Sequence, residues 1–192
     1  MELQHVNVKL MIGNSEAIDL EPLIPIFHSW IQYRVCDELL LDIAEYRHVP
    51  AGPGVVLIGH EANYSVDNTD NRLGVRYNRK APLDGSNQDR MIQAARAALT
   101  ACQRLESEPR LAGKLQFDGQ RLEVFINDRL LAPSGDATRM ALDPELQAFA
   151  KKLFRDGEVA LSYGGDPRGL FRASEKSARP VPVVDLLANL NP

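Results

Sequence analysis

His48 and His60 stand in one stretch of the chain with Asp42, Tyr46, Glu61 and Arg79. An imidazole beside a carboxylate can act as a general base and its orienter, or the two can share a metal ion. Asp42 and Glu61 are the carboxylates within sequence reach of His48 and His60, which makes these four the catalytic candidates. Tyr46, Arg76 and Arg79 are the candidate ligand-binding residues, the arginines because a guanidinium can clamp an anion. One objection is built into the spacing. His60 and Glu61 are adjacent in an extended segment and point to opposite faces unless a bulge at Gly59 rotates one of them.

Each candidate also has a plainer reading. His60 can be a hydrogen-bonded histidine at the end of an apolar strand face, His48 a solvated loop residue beside Val49-Pro50, and Asp42 a surface carboxylate. Arg72, Arg76, Arg79 and Lys80 can be a solvated basic run, and His28 a rim residue on a helix. No pair of ligands has the spacing that places both on one helix face, so no metal site is expected and no cofactor is named. Ala51-Gly52-Pro53-Gly54 lacks the Lys-Ser/Thr of a phosphate loop and precedes a strand rather than a helix. No serine sits in a nucleophile elbow.

The elements that must position these residues are legible as alternation. Val55 to Asp67 reads as one long strand bent at Gly59, with Val56, Ile58, His60, Ala62, Tyr64 and Val66 on an apolar face. Asp67-Asn68-Thr69-Asp70-Asn71 is a turn by composition. Folding back there sets Leu73 opposite Val66, Val75 opposite Tyr64, Tyr77 opposite Ala62 and Arg79 opposite His60. Leu39, Leu41 and Ile43 suit the same face of a preceding strand, which completes a meander over 38–79.

Elsewhere, Val6, Val8, Leu10 and Ile12 predict a first strand with one buried face. Helices are expected at about 22–34, where Leu23, Ile26, Phe27, Trp30 and Ile31 recur, and at 87–106, with Ser86 as N-cap. A third is expected at 144–155, with Pro144 at its first position. Hairpins are expected at 114–127, turning at Asp118-Gly119, and at 158–174, and a short docking helix at 183–190. The whole reads as an α+β fold, a largely antiparallel sheet covered by helices. It is expected to form a single globular domain over 1–192, with two similar halves (1–109 and 110–180) sharing one core as a possibility raised by Ala17-Ile18-Asp19 and Ala141-Leu142-Asp143.

Composition narrows the classes. The 192 residues are 44% hydrophobic and 25% charged with a net charge of −4, which suits a soluble globular protein and argues against a sequence-independent nucleic-acid binder. No run is long and apolar enough to span a membrane, and the first residues lack a secretion signal, so a cytoplasmic protein is expected. Cys36 and Cys102 are too few for a disulfide framework and read as small buried side chains. The expectation is a cytoplasmic binding or interaction module for a partner protein or small anionic ligand, homodimeric through aromatics such as Trp30, Tyr33 and Tyr46. The alternative is an enzyme acting on a small anionic substrate by His/carboxylate or metal-assisted chemistry; residue types alone leave the choice open.

Overall fold

Alternation in the first strand dictates the rest of the layer. In the computed structural model, which describes residues 1–13, 18–155, 157–164 and 166–191, β1 (Val6–Ile12) turns Val6, Val8, Leu10 and Ile12 into the core. After α1 (Leu23–Tyr33) come β2 (Leu40–Tyr46), β3 (Gly54–Gly59), β4 (Ala62–Asp67) and β5 (Gly74–Arg79). Then follow α2 (Asn87–Glu106), β6 (Phe117–Ile126), α3 (Asp136–Phe154), β7 (Val159–Tyr163), β8 (Phe171–Ser177) and α4 (Val183–Leu190). The strands form one antiparallel eight-stranded sheet in the order β2-β3-β4-β5-β1-β6-β8-β7. It is an α+β fold, as the alternation predicted.

Val8, Leu10, Val75, Tyr77, Val124 and Ala173 share one sheet face, on which α2 lies over β1, β5 and β6. The helix starts as its sequence requires. Ser86 caps the Asp89 amide while the Asp89 side chain returns to the Ser86 amide, a reciprocal box that satisfies two otherwise orphaned donors. Its alanines Ala94, Ala95, Ala98 and Ala101 are all buried; small side chains let the helix axis approach the sheet. No helix among the described residues is long and apolar enough to cross a membrane.

The opposite face carries Asn7, Lys9, Asp67, Arg76 and Glu123. Lys9 is 2% exposed and its ammonium lies 2.5 Å from Asp67. Burial draws the Lys9 pKa below its ordinary value, against the pull of Asp67. The first strand is therefore buried on both faces rather than on one.

Other local expectations are corrected. Residues 55–67 are two strands, not one. The chain reverses at His60-Glu61, so Val55 pairs with Val66 and Ile58 with Asn63. Gly59 marks this hairpin rather than a bulge, because a Cβ there would sit 2.5 Å from the Ala62 carbonyl oxygen. The hairpin of β4 and β5 forms with a register two residues from the expected one, Val66 opposite Val75, Tyr64 opposite Tyr77 and Ala62 opposite Arg79. Asp70 and Asn71 both adopt left-handed backbone, which lengthens the loop. A shift of two keeps every side chain on its face, so polarity alone could not detect it.

In β2 the register slips between Leu40 and Asp42. Leu40 is buried while Leu39 and Leu41 are exposed; Ile43 alone of the expected trio lies opposite Leu57 on the core side. Residues 117–126 are one continuous strand rather than a hairpin turning at Asp118-Gly119. Gly119 is small for another reason: the Val181 carbonyl lies where its Cβ would be. Helix α3 begins eight residues before Pro144 and carries it in its interior. The expected hairpin at 158–174 and the short helix at 183–190 are present as β7–β8 and α4.

Candidate functional site

Two tyrosines on an otherwise aliphatic strand face need partners for their hydroxyls once buried. Tyr64 and Tyr77 are cross-strand neighbours with ring centroids 5.1 Å apart in an edge-to-face arrangement. Both hydroxyls donate to one carboxylate: Tyr64 to Glu38 Oε2 at 2.5 Å and Tyr77 to Glu38 Oε1 at 2.6 Å. Gln93 Nε2, from α2, donates to the Tyr77 oxygen at 2.9 Å. Arg79 lies on the same face as Tyr77, with a guanidinium nitrogen 3.6 Å from Glu38 Oε1, and it also donates to the Ala81 and Pro82 carbonyls.

Burial, and then the Glu38 charge, push the Tyr64 hydroxyl far above its ordinary range; burial and the Glu38 hydrogen bond do the same to Tyr77. Both phenols therefore stay protonated and keep Glu38 fixed as an acceptor. Cys36, whose thiol contacts the Glu38 carbonyl at 3.6 Å, is also pushed up, mainly by burial.

This network floors a cleft of about 480 Å³ between the 35–38 segment, the sheet and α2. Gln93, Arg96, Ala97, Thr100 and Arg104 supply the helix wall, a stripe at i, i+3, i+4, i+7 and i+11 that one helix face presents together. Trp30 and Val35 close the far side. Arg96 donates to the Leu190 carbonyl at 2.7 Å. Arg104 is exposed and, among the described residues, makes no ion pair or hydrogen bond.

The residues picked from spacing do not assemble as one cluster. Of the His/carboxylate pairs, only His60 and Glu61 touch, Nδ1 to Oε1 at 3.4 Å, on a hairpin tip where the His60 side chain is 70% exposed. The Glu61 carboxyl is held below its ordinary value by its own backbone amide and then by His60. Asp42 accepts from the Ile43 amide on the exposed edge strand. Tyr46 lies opposite Gly54 at the other end of β2, with His48 exposed in the turn beyond it. Arg79 reaches the cleft; Arg76, of opposite parity in the same strand, faces the other side of the sheet. Among the described residues no group of three or more His, Cys, Asp or Glu is placed to hold a metal ion.

Glu38, Tyr64, Tyr77, Gln93, Arg96 and Arg104 were not singled out by spacing. Two signals could have found them: paired tyrosines on a greasy strand face, and a polar, arginine-bearing stripe on an otherwise alanine-rich helix. Comparison of the chain with protein-family models, with curated proteins and with solved structures finds no match in any of the three.

Proposed function

We propose that the protein is a cytoplasmic binding module for a small organic anion, held in the cleft between α2 and the sheet. The observation that carries this reading is the convergence of Arg79, Arg96 and Arg104 on a cleft whose carboxylates are Asp37 and Glu38, the latter already taken by Tyr64, Tyr77 and Arg79, beside an apolar wall. Small-molecule sites generally combine an apolar wall with a few oriented polar groups. Here Trp30, Val35, Ala97 and Ala101 offer the wall, and the Glu38–Tyr64–Tyr77–Gln93 network is rigid because its hydroxyls and carboxylate already satisfy one another. Arg104 is the guanidinium with capacity to spare. An acid with a hydrocarbon or aromatic body suits both features, its carboxylate at Arg96 and Arg104.

The test is a thermal-shift screen of aromatic and aliphatic acids, followed by calorimetric titration of the hits. A specific binder raises the melting temperature by mass action. Arg104→Ala should weaken the best acid by about tenfold, the value of one charge-assisted hydrogen bond, and Ala97→Trp should abolish binding by filling the cleft. Binding that survives both substitutions would move the site elsewhere.

The homodimer belongs to the same proposal. Strand β2 is a sheet edge; Leu41 within it is 52% exposed and Leu39, just before it, 56%. An open edge with apolar side chains is a template for a second strand, and a second copy can pair with it antiparallel about a two-fold axis. The catalytic alternative has no comparable support, because the histidines and carboxylates it needs lie apart or at a solvated tip.

A further inference from the structure

Arg76 stacks on an aromatic ring and, among the described residues, has no carboxylate at ion-pair distance. It projects from β5 on the sheet face away from the helices, flanked across the ladder by Lys9 and Ser65. Its guanidinium carbon lies 4.5 Å from the centroid of the Phe125 ring. Its Nε is buried with no acceptor, and no hydrogen bond or ion pair from its other nitrogens is made among the described residues. A buried donor left unmatched is costly, more so when it is charged.

The carboxylates nearby each pair with another cation, although Glu123 keeps a second, buried oxygen unpaired among the described residues. Asp67 accepts from Lys9 at 2.5 Å and from the Thr69 hydroxyl at 2.9 Å. Asp70 accepts from Arg172 at 2.8 Å and Arg72 at 3.4 Å; Glu123 pairs with Arg72 through one oxygen. Asp166, in the β7–β8 connection, pairs with Arg168 at 3.5 Å. Among the described residues none of these carboxylates lies within ion-pair distance of Arg76. A cavity of about 220 Å³ opens beside it, bounded by Thr69, Asp70, Phe125, Asp166, Leu170 and Arg172.

We infer that Arg76 anchors a second ligand site on this face, for a small monocarboxylate with a short apolar body. A planar guanidinium matches a carboxylate with two parallel hydrogen bonds. A single unmatched positive charge calls for a single negative one; a phosphate dianion would overshoot it beside Asp70 and Asp166. A cavity of about 220 Å³ is somewhat larger than one of about 150 Å³ that takes up benzene, which suits a short acid, and Leu170 gives the body an apolar contact. This site is independent of the cleft over α2, since the sheet lies between them.

The test titrates propionate and butyrate into the full chain, with propionamide and inorganic phosphate as controls, reading melting temperature and the Arg76 Nε–H resonance. The expected result is a saturable upward shift in melting temperature with the acids only, together with movement of the Arg76 signal. Arg76→Met should weaken the acids at least about tenfold while the chain still folds, since the residue is half-buried and methionine keeps an apolar contact with Phe125. Leu170→Trp, which fills the cavity and keeps the arginine, should also lose the shift. The proposal is overturned if the acids give no saturable shift in the wild type, or if the shift persists in Arg76→Met. It is equally overturned if the Arg76 signal ignores the acids but moves in Glu123→Gln, which would identify the free Glu123 oxygen as its partner.

Discussion

Glu175 and Glu38 show how differently two carboxylates can be placed on the same sheet face. Glu38 accepts two phenolic hydrogen bonds and lies near Arg79, so its negative charge is compensated. Glu175 is completely buried opposite Leu122 and Leu161, and neither of its oxygens has a hydrogen-bond partner among the described residues. Burial pushes its carboxyl well above the ordinary value, so folding favours the protonated form. The sign of the pH dependence follows. Below the unfolded-state pKa both states carry the proton and nothing is lost. Above it the unfolded chain releases a proton that the folded chain keeps, so this residue makes stability fall as pH rises, at up to about 1.4 kcal/mol per pH unit, until the folded carboxyl ionises. Glu175→Leu should remove that slope and raise stability at pH 7 by roughly 1–3 kcal/mol, since the unfolded leucine chain has no proton to release. Urea unfolding of both proteins at pH 5, 6, 7 and 8 measures this. The same pH dependence in both proteins would show that folding does not hold Glu175 protonated.

At the scale of elements, Pro144 is the most misleading residue in the chain. Placed inside a helix it removes one backbone hydrogen bond and crowds the carbonyl four residues back, here that of Met140. Met140 and Pro144 are both exposed, so water can serve the freed carbonyl, while Leu142, Leu146, Phe149 and Leu153 hold the helix to the core. Packing outweighs the local penalty. Pro144→Ala should therefore stabilise the protein by about 1–2 kcal/mol, less than the full proline penalty because alanine also frees the unfolded chain; a higher denaturant midpoint at unchanged m would show it, and a lower midpoint would mean the proline shapes the helix usefully. The same contest between local and tertiary terms explains what could be read beforehand. Face assignments for Val66, Val75 and Tyr77, and the Ser86 cap, depend on local chemistry and were legible. The two-residue register shift and the His60-Glu61 reversal depend on loop conformation and on Gly59 meeting Ala62, which leave no trace in hydrophobic alternation. The cleft was legible only in pieces: the parity of Tyr64 is in the strand, but Glu38 and Arg104 come from segments far apart in sequence that only packing unites.

For the whole molecule, the consequential surface is the β2 edge, because the cleft and the proposed dimer meet there. Residues 35–38 line the cleft and run directly into β2, so a second copy paired along β2 would brace the wall that carries Glu38. Light scattering across the soluble concentration range should find a dimer in the wild type. Leu41→Lys should shift it to monomer, weakening association by about tenfold or more through loss of apolar contact and repulsion between the two symmetry-related charges. Leu130→Lys is the control: that leucine is 97% exposed, in the 128–131 segment away from this edge, and its replacement should leave the dimer intact. Because binding free energies are reciprocal, an acid that tightens the cleft should also tighten the dimer, and Leu41→Lys should weaken the acid in turn. A wild type that stays monomeric throughout would remove the edge as an interface while leaving the cleft, whose lining comes from one chain, to be judged on its own ligand.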